Sequence, residues 1–417
     1  MKAITLLINI LFFGTITGQS KQQDINHLIE NGKYNQALYI LDNDPSDSFK
    51  KLKFKGDNYY AMEYFEKAAF QYKKASEKEE NKGILLRLGK TYEKLGHYKK
   101  ALTVYQSSIK KDSTNQVIKF RLSKILLRYK RVNSALKNLK ELTEKDTINP
   151  NYPYYLGIGY KLKKNYTSAI TYFLKAFERD SMHLKNIIQL ASQYDRYYKK
   201  DSTKIFIEKG LSIDPENKTL NRLKINQLRR DKKYQLAIDL LLEQEIIHEN
   251  EFYNAKMLGI CYFNLDALQH AKNWFDIAKD RNEKDFKTWT YLGDINVMNK
   301  NYHKAIVNYS QATHVGIISR DQEYLKLGLV FRELDNKSKA IEMFKQALNE
   351  NWKNEKAHFE LALTSESYYE DKKIAYNLYQ SYLRNFEYKN EKVKLIFVRS
   401  RIKKIKEIYF LEGIMLK

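Results

Sequence analysis

Apolar and polar residues follow one another along most of this chain with the period of an amphipathic α-helix. In the segment LGKTYEKLGHYKKALTVYQSSI, the small residue Gly89 precedes Tyr92, and Ala101 and Tyr105 follow a turn at Gly96. Apolar residues spaced three or four apart share one face of a helix, and a glycine among polar residues ends a helix. The segment therefore predicts two short helices joined by a turn, each with one apolar face.

The same pattern recurs at a nearly constant spacing. Gly157 follows Gly89 by 68 residues, or two steps of 34, and Gly259 follows Gly157 by 102, or three such steps. Gly293 comes 34 residues after Gly259, and Gly328 comes 35 residues after Gly293. A period of this length predicts a stack of similar helix pairs, each packed on its sequence neighbours.

These residues resemble the tetratricopeptide repeat (TPR) family, whose unit of 34 residues is a pair of antiparallel helices with a small residue at their crossing. The resemblance covers about Phe49 to Tyr388. It implies an all-α fold, a right-handed α-solenoid of about ten helix-turn-helix repeats with a C-terminal capping helix. It also implies that the chain binds other proteins.

The ends of the chain differ from the repeats. Lys2, the apolar run Ile4–Phe13 and the small residues up to Gly18 predict a signal peptide over residues 1–18. Residues 19–48 predict a partial N-terminal helical repeat, 49–389 the TPR array, and 390–417 a basic amphipathic capping helix, with a membrane-surface helix as the alternative. We expect an exported protein, periplasmic or associated with the cell surface, with no transmembrane span in the mature chain.

Composition adds a strong positive charge to this picture. The formal net charge is +24, and the 417 residues include 33 tyrosines. A basic chain can bind nucleic acid, membrane surfaces or acidic proteins. The lysines are spread over the whole chain, which is typical of a solvated surface and disfavours a nucleic-acid-binding role. A polyanion-binding protein stays open as an alternative.

Motifs for catalysis, cofactors or metals do not emerge from the sequence. No two histidines have the i, i+4 spacing of a zinc-binding helix, and Gly157-Ile158-Gly159 has Leu162 where a dinucleotide fingerprint needs its third glycine. The single cysteine, Cys261, lies in an apolar segment and predicts a buried packing thiol. We assign no catalytic, cofactor-binding or metal-binding residue and predict a non-enzymatic protein.

The resemblance implies that the first helix of each repeat lines a concave surface that takes a partner. Cations and an aromatic residue at spacings of three or four predict that this face binds a protein or an extended acidic peptide. The predicted partner-binding residues are Lys124, Arg128, Tyr154, Lys161, Arg196, Arg222, Asn226, Arg229 and Arg230. We predict a scaffold of the bacterial cell envelope; an accessory subunit of an envelope enzyme is an alternative, and the oligomeric state stays open.

Within the repeat array, four tripeptides have the order Asp, then Ser or Thr, then a third residue. They are Asp112-Ser113-Thr114, Asp146-Thr147-Ile148, Asp180-Ser181-Met182 and Asp201-Ser202-Thr203. They resemble the Asp-Ser/Thr-apolar acceptor of an O-glycosylation system of exported bacterial proteins. Three recur at the same place in the repeat, so turn formation explains them equally well.

Overall fold

A computed structural model describes residues 18–79, 81–315, 319–389 and 392–416. The predicted signal peptide, apart from Gly18, lies outside the described residues. Within these ranges every regular element is helical. The helices are α1 (Gly18–Glu30), α2 (Tyr34–Asp42), α3 (Phe49–Ala61), α4 (Phe65–Lys78), α5 (Lys82–Lys94), α6 (Tyr98–Lys111), α7 (Gln116–Arg128), α8 (Val132–Lys145), α9 (Asn151–Leu162), α10 (Tyr166–Arg179), α11 (Leu184–Arg196), α12 (Lys200–Ile213), α13 (Lys218–Arg230), α14 (Tyr234–Ile247), α15 (Phe252–Asn264), α16 (Leu268–Arg281), α17 (Phe286–Met298), α18 (Tyr302–Val315), α19 (Asp321–Glu333), α20 (Lys337–Glu350), α21 (Glu355–Tyr368), α22 (Lys372–Phe386) and α23 (Lys392–Leu411).

The helices form two compact units, one ending at Pro215 and the other beginning at Glu216. In the first unit, called the N-terminal unit below, α3 to α12 make five helix pairs, preceded by the pair α1 and α2. In the C-terminal unit, α13 to α22 make five further pairs, followed by α23. Within each unit, the helices pack mainly on the helices before and after them, as a solenoid requires. The predicted all-α repeat fold is confirmed.

The small residue of each repeat lies where the two helices of a pair meet. A Cβ atom built on Gly259 would lie 2.7 Å from Cδ1 of Phe275, whose ring is fully buried. Gly157 meets Phe173 in the same way in the N-terminal unit. Glycine therefore lets the ring of the second helix lie directly on the backbone of the first.

The turn inside every described pair except that of α21 and α22 uses one residue with a left-handed backbone. Glycine takes this position at Gly32 and Gly96, where φ is 72° in both cases. Elsewhere a residue with a side chain takes it, at a steric cost that glycine avoids. These residues are Glu63, Lys130, Lys164, Tyr198, Lys232, Asp266, Lys300 and Asp335.

The last helix, α23, lies against the final pair of the C-terminal unit. Leu395, Val398 and Ile405 are buried in one cluster with Tyr376 and Tyr379 of α22. The helix contributes an apolar stripe to the end of the stack, where the last pair would otherwise expose its own apolar face. Among the described residues, no helix has the length and apolar character to cross a bilayer.

Candidate functional site

Charged residues on the first helices connect neighbouring repeats. In the N-terminal unit, Arg87 of α5 reaches Asp57 of α3 at 2.6 Å, and Arg121 of α7 reaches Glu93 of α5 at 3.0 Å. In the C-terminal unit, Lys326 of α19 reaches Asp294 of α17 at 2.7 Å. Each cation lies one repeat after its carboxylate. The charges of this face therefore hold consecutive repeats together before any partner arrives.

Each of these carboxylates also accepts a hydrogen bond from a buried tyrosine of the second helix. The Tyr309 hydroxyl donates to Asp294 at 2.6 Å, and the Tyr105 hydroxyl donates to Glu93 at 2.6 Å. We call this arrangement the tyrosine–carboxylate–cation triad. Its members are Tyr72, Asp57 and Arg87; Tyr105, Glu93 and Arg121; Tyr309, Asp294 and Lys326; and Tyr379, Glu366 and Arg401.

Sequence reasoning missed the triads, although the chain carries a signal for them. Where a phenylalanine replaces the tyrosine, as at Phe275, the matching first-helix positions hold the apolar Ile260 and Phe263. A buried hydroxyl without an acceptor costs free energy, so the tyrosine and the carboxylate must occur together. A carboxylate 12 to 15 residues before each such tyrosine was the pattern to look for.

In the N-terminal unit, most of the predicted partner-binding cations contact aromatic rings of their own chain. Arg128 lies 3.9 Å from the centre of the Tyr98 ring, and Arg196 lies 4.6 Å from that of Tyr166. Lys124 is near the rings of Phe120 and Tyr155, at 5.8 and 5.7 Å. These contacts fix the side chains, so a partner would meet cations that are already positioned.

Lys161 is a half-buried predicted cation of this unit. Its ammonium group donates to Oε1 of Gln189 at 2.8 Å. Burial, followed by the nearby charge of Arg196, lowers its pKa below the usual value for lysine. A carboxylate beside this ammonium group would favour its charged form and so oppose both effects.

Tyr154, another predicted contact residue, is buried in the structure. Its ring is 9% exposed and packs against Tyr155, Phe173 and His183. The aromatic character that suggested stacking with a peptide is used instead to fill the space between helices. Tyr154 therefore belongs to the core.

In the C-terminal unit, Arg222 and Arg229 are also engaged within the chain. Arg222 pairs with Glu251 at 2.6 Å and lies 4.6 Å from the centre of the Tyr253 ring. Arg229 donates to Oδ1 of Asn226 at 3.3 Å, while its buried Nε has no acceptor among the described residues. Arg230, the last residue of α13, is exposed. That these residues bind a partner stays a prediction.

A cavity of about 310 Å³ opens on the first-helix face of the N-terminal unit, and sequence reasoning did not single it out. It is lined by Tyr60, Tyr72, Gly83, Leu86, Arg87 and Lys90. Lys90 is half-buried, and none of the described residues hydrogen-bonds or ion-pairs with its ammonium group. Burial, then the charges of Arg121 and Arg87, lower the pKa of Lys90, against a smaller opposing effect of the Glu93 charge. We call this cavity the Lys90 pocket.

Comparisons with known proteins agree with the fold. Profiles described as tetratricopeptide repeat match residues 84–117 and 324–351, one in each unit. The TPR repeat-containing protein MJ1428 of Methanocaldococcus jannaschii is 23% identical over 299 residues, which is 64% of this chain and 50% of that protein. The TPR repeat-containing protein YpiA of Bacillus subtilis is 23% identical over 256 residues, 60% of this chain and 59% of that protein. The chain thus spans about half the length of the curated relatives it matches.

Among solved structures, yeast Tom70 is similar with a TM-score of 0.42 and 15% identity, over 94% of this chain and 96% of that one. The pilF structure of Pseudomonas aeruginosa has a TM-score of 0.44 and 18% identity, over 50% of this chain and 95% of that one. The stacked helix pairs define a helical-repeat protein of the class that presents surfaces to protein partners. The profile matches thus identify a tetratricopeptide repeat in each unit, and they support a tetratricopeptide repeat protein.

Proposed function

We propose that this chain is a non-enzymatic protein-interaction scaffold of the bacterial cell envelope, and that it binds an extended acidic segment of a partner protein at the Lys90 pocket. One observation carries the proposal. Lys90 is a half-buried cation without an ion-pair partner among the described residues, on a face where Arg87 and Arg121 are both paired. An acidic side chain from outside the chain would supply the missing partner.

The pocket offers both kinds of contact that such a side chain needs. The ammonium group of Lys90 can donate charge-assisted hydrogen bonds to a carboxylate. Tyr60 and Leu86 form an apolar wall for the aliphatic part of the bound residue. Because two neighbouring arginines disfavour the charge on Lys90, binding a carboxylate there also relieves repulsion.

The envelope location rests on the predicted signal peptide at residues 1–18. A tagged chain, expressed in the organism that encodes it, would test this by fractionation and by sequencing of the mature N-terminus. We expect the envelope fraction and a terminus at Gln19. A full-length chain in the cytoplasmic fraction would refute the location and leave the pocket proposal standing.

The pocket is tested by charge reversal with a matched control. Lys90→Glu places a negative charge in the pocket, whereas Lys99→Glu makes the same change on the exposed side of α6. Both proteins and the wild type are used at physiological salt to capture proteins from an envelope extract, with mass spectrometry of what is retained. We expect a stoichiometric protein that the wild type and Lys99→Glu retain and Lys90→Glu loses.

Equal capture by all three proteins would refute the Lys90 pocket as the binding site. Reversal at Arg222 is a poor test, because this residue is paired with Glu251 and its loss would disturb the repeat itself. Retention of nucleic acid alone, falling steeply as salt rises, would favour the polyanion-binding alternative that the net charge of +24 suggests.

A further inference from the structure

Three turns that join consecutive helix pairs of the N-terminal unit have the same geometry. At each one an aspartate carboxylate accepts the backbone N–H of the residue two positions later. The distances are 3.0 Å from Thr114 to Asp112, 2.9 Å from Ile148 to Asp146 and 2.9 Å from Met182 to Asp180. The aspartate therefore closes the turn, as its position in the repeat predicts.

The hydroxyl residue between these two positions has no part in the turn. Ser113, Thr147 and Ser181 are exposed, and no described residue hydrogen-bonds with their side chains. In the C-terminal unit, Asn282 and Asn351 close the same turn through the N–H of Lys284 and Lys353.

The intermediate residue of those two turns is Glu283 or Trp352. The fold thus accepts very different side chains at this place, so it does not explain three hydroxyl groups.

The third residue of these turns is also unexplained by packing. Ile148 is 82% exposed and Met182 is 55% exposed, in a turn where a polar residue would cost nothing. The fourth tripeptide differs, because Asp201-Ser202-Thr203 lies in the first turn of α12 and Thr203 is buried. The repeat array therefore contains three exposed tripeptides and one whose third residue is buried at the start of a helix. A fifth tripeptide, Asp47-Ser48-Phe49, precedes the array, and there the Ser48 hydroxyl accepts the backbone N–H of Lys51 as the N-cap of α3.

We propose that Ser113, Thr147 and Ser181 are O-glycosylation sites and that Ser202 is not. In the transfer, the hydroxyl oxygen attacks the anomeric carbon of a sugar carried as a phosphate ester on a nucleotide or lipid donor. The new C–O bond forms as the bond to the donor's phosphate oxygen breaks. The donor's phosphate leaves with the electron pair, and the hydroxyl proton passes to a base of the transferase.

A neutral sugar fits these turns better than a phosphate group does. Phosphorylation would place between one and two negative charges beside the aspartate carboxylate that closes the turn, roughly −1.5 to −2 at neutral pH. At Asp112 this carboxylate already pairs with Lys82 at 2.7 Å, and this contact helps to hold the pKa of Asp112 below its usual value. A sugar adds bulk on the solvent side and leaves this pairing unchanged.

The test uses the full chain purified from the organism that encodes it, with intact mass spectrometry and site mapping by electron-transfer fragmentation. We expect sugar masses on the three turns. A combined Ser113→Ala, Thr147→Val and Ser181→Ala variant should lose them, whereas Ser202→Ala should keep them. The comparable turns at Glu283 and Trp352 indicate that these substitutions leave the fold intact, which circular dichroism would verify.

A mass equal to the processed chain would overturn the proposal. So would phosphate in place of sugar, or sugar carried on Ser202. Because the assay reads a covalent mass, its failure would not bear on the Lys90 pocket.

Discussion

The triad of Tyr309, Asp294 and Lys326 allows a stability prediction that can be worked out from its contacts. In Asp294→Ala, the hydroxyl of Tyr309, whose side chain is 2% exposed, loses its acceptor. A buried donor left without a partner costs about 1–3 kcal/mol. Lys326 loses a partly exposed ion pair, which is worth about 0–1 kcal/mol. We expect a local destabilisation of about 2 kcal/mol.

The assay must resolve single repeats, because a long repeat array need not unfold in one step. Native-state hydrogen exchange followed by mass spectrometry reports α17, α18 and α19 separately from the rest of the chain. A loss of about 2 kcal/mol should accelerate exchange there by roughly thirtyfold, since about 1.4 kcal/mol corresponds to tenfold. Tyr309→Phe should cost less, about 1 kcal/mol, because Asp294 keeps Lys326 as its partner.

The matched control is Asp280→Ala, which removes a carboxylate that is 74% exposed. Its effect should stay within about 0.5 kcal/mol. The double variant of Tyr309 and Asp294 should cost less than the sum of the two single changes, because both remove the same hydrogen bond. If Asp294→Ala exchanges like Asp280→Ala, or if the two changes are additive, the triad does not stabilise this repeat.

Three further predictions follow from other contacts. Lys164→Gly should stabilise the N-terminal unit by about 1 kcal/mol, since φ is 60° at this residue, and Gly96→Ala should have the opposite sign; denaturant titration would show both. Cys261 is fully buried and burial raises its pKa to about 11, so iodoacetamide should modify it only after unfolding; rapid labelling of the native chain would contradict the structure. Burial would raise the pKa of Glu366, but hydrogen bonds from Arg401 and Tyr379 hold it below the usual value. The packing of α23 should therefore be most stable above about pH 4.3 and weaken as the pH falls through the folded-state pKa of Glu366; Glu366→Gln should remove this dependence in hydrogen exchange of α23.

Much of the fold was predictable because each helix pair packs through residues that lie within one repeat of the sequence. Gly157 and Gly259 lie at the crossing that their spacing indicated, and Phe173 and Phe275 fill the space beside them. The helix pair needs only this spacing and an apolar face on each helix.

The candidate site was less predictable. Whether a charged or aromatic side chain is paired, buried or exposed depends on which residues of the next repeat lie beside it. Arg222 and Lys90 both lie on the first helix of their repeat, yet Glu251 pairs with Arg222 and nothing described pairs with Lys90. Tyr154 has an aromatic side chain of the kind that contacts partners, but neighbouring side chains bury it. Pairing between residues about 30 apart cannot be judged from one repeat alone.

The sequence by itself therefore determined the class of this protein: the period, the small residue at each crossing and the apolar stripes leave one way to bury the helices. The tertiary structure decided which charges remain available to a partner. Ion pairs and buried hydroxyl groups depend on distances of a few ångströms between side chains of different repeats, as in Tyr309, Asp294 and Lys326. Such distances are set by packing, because a shift of one helix turn would exchange every partner along the face.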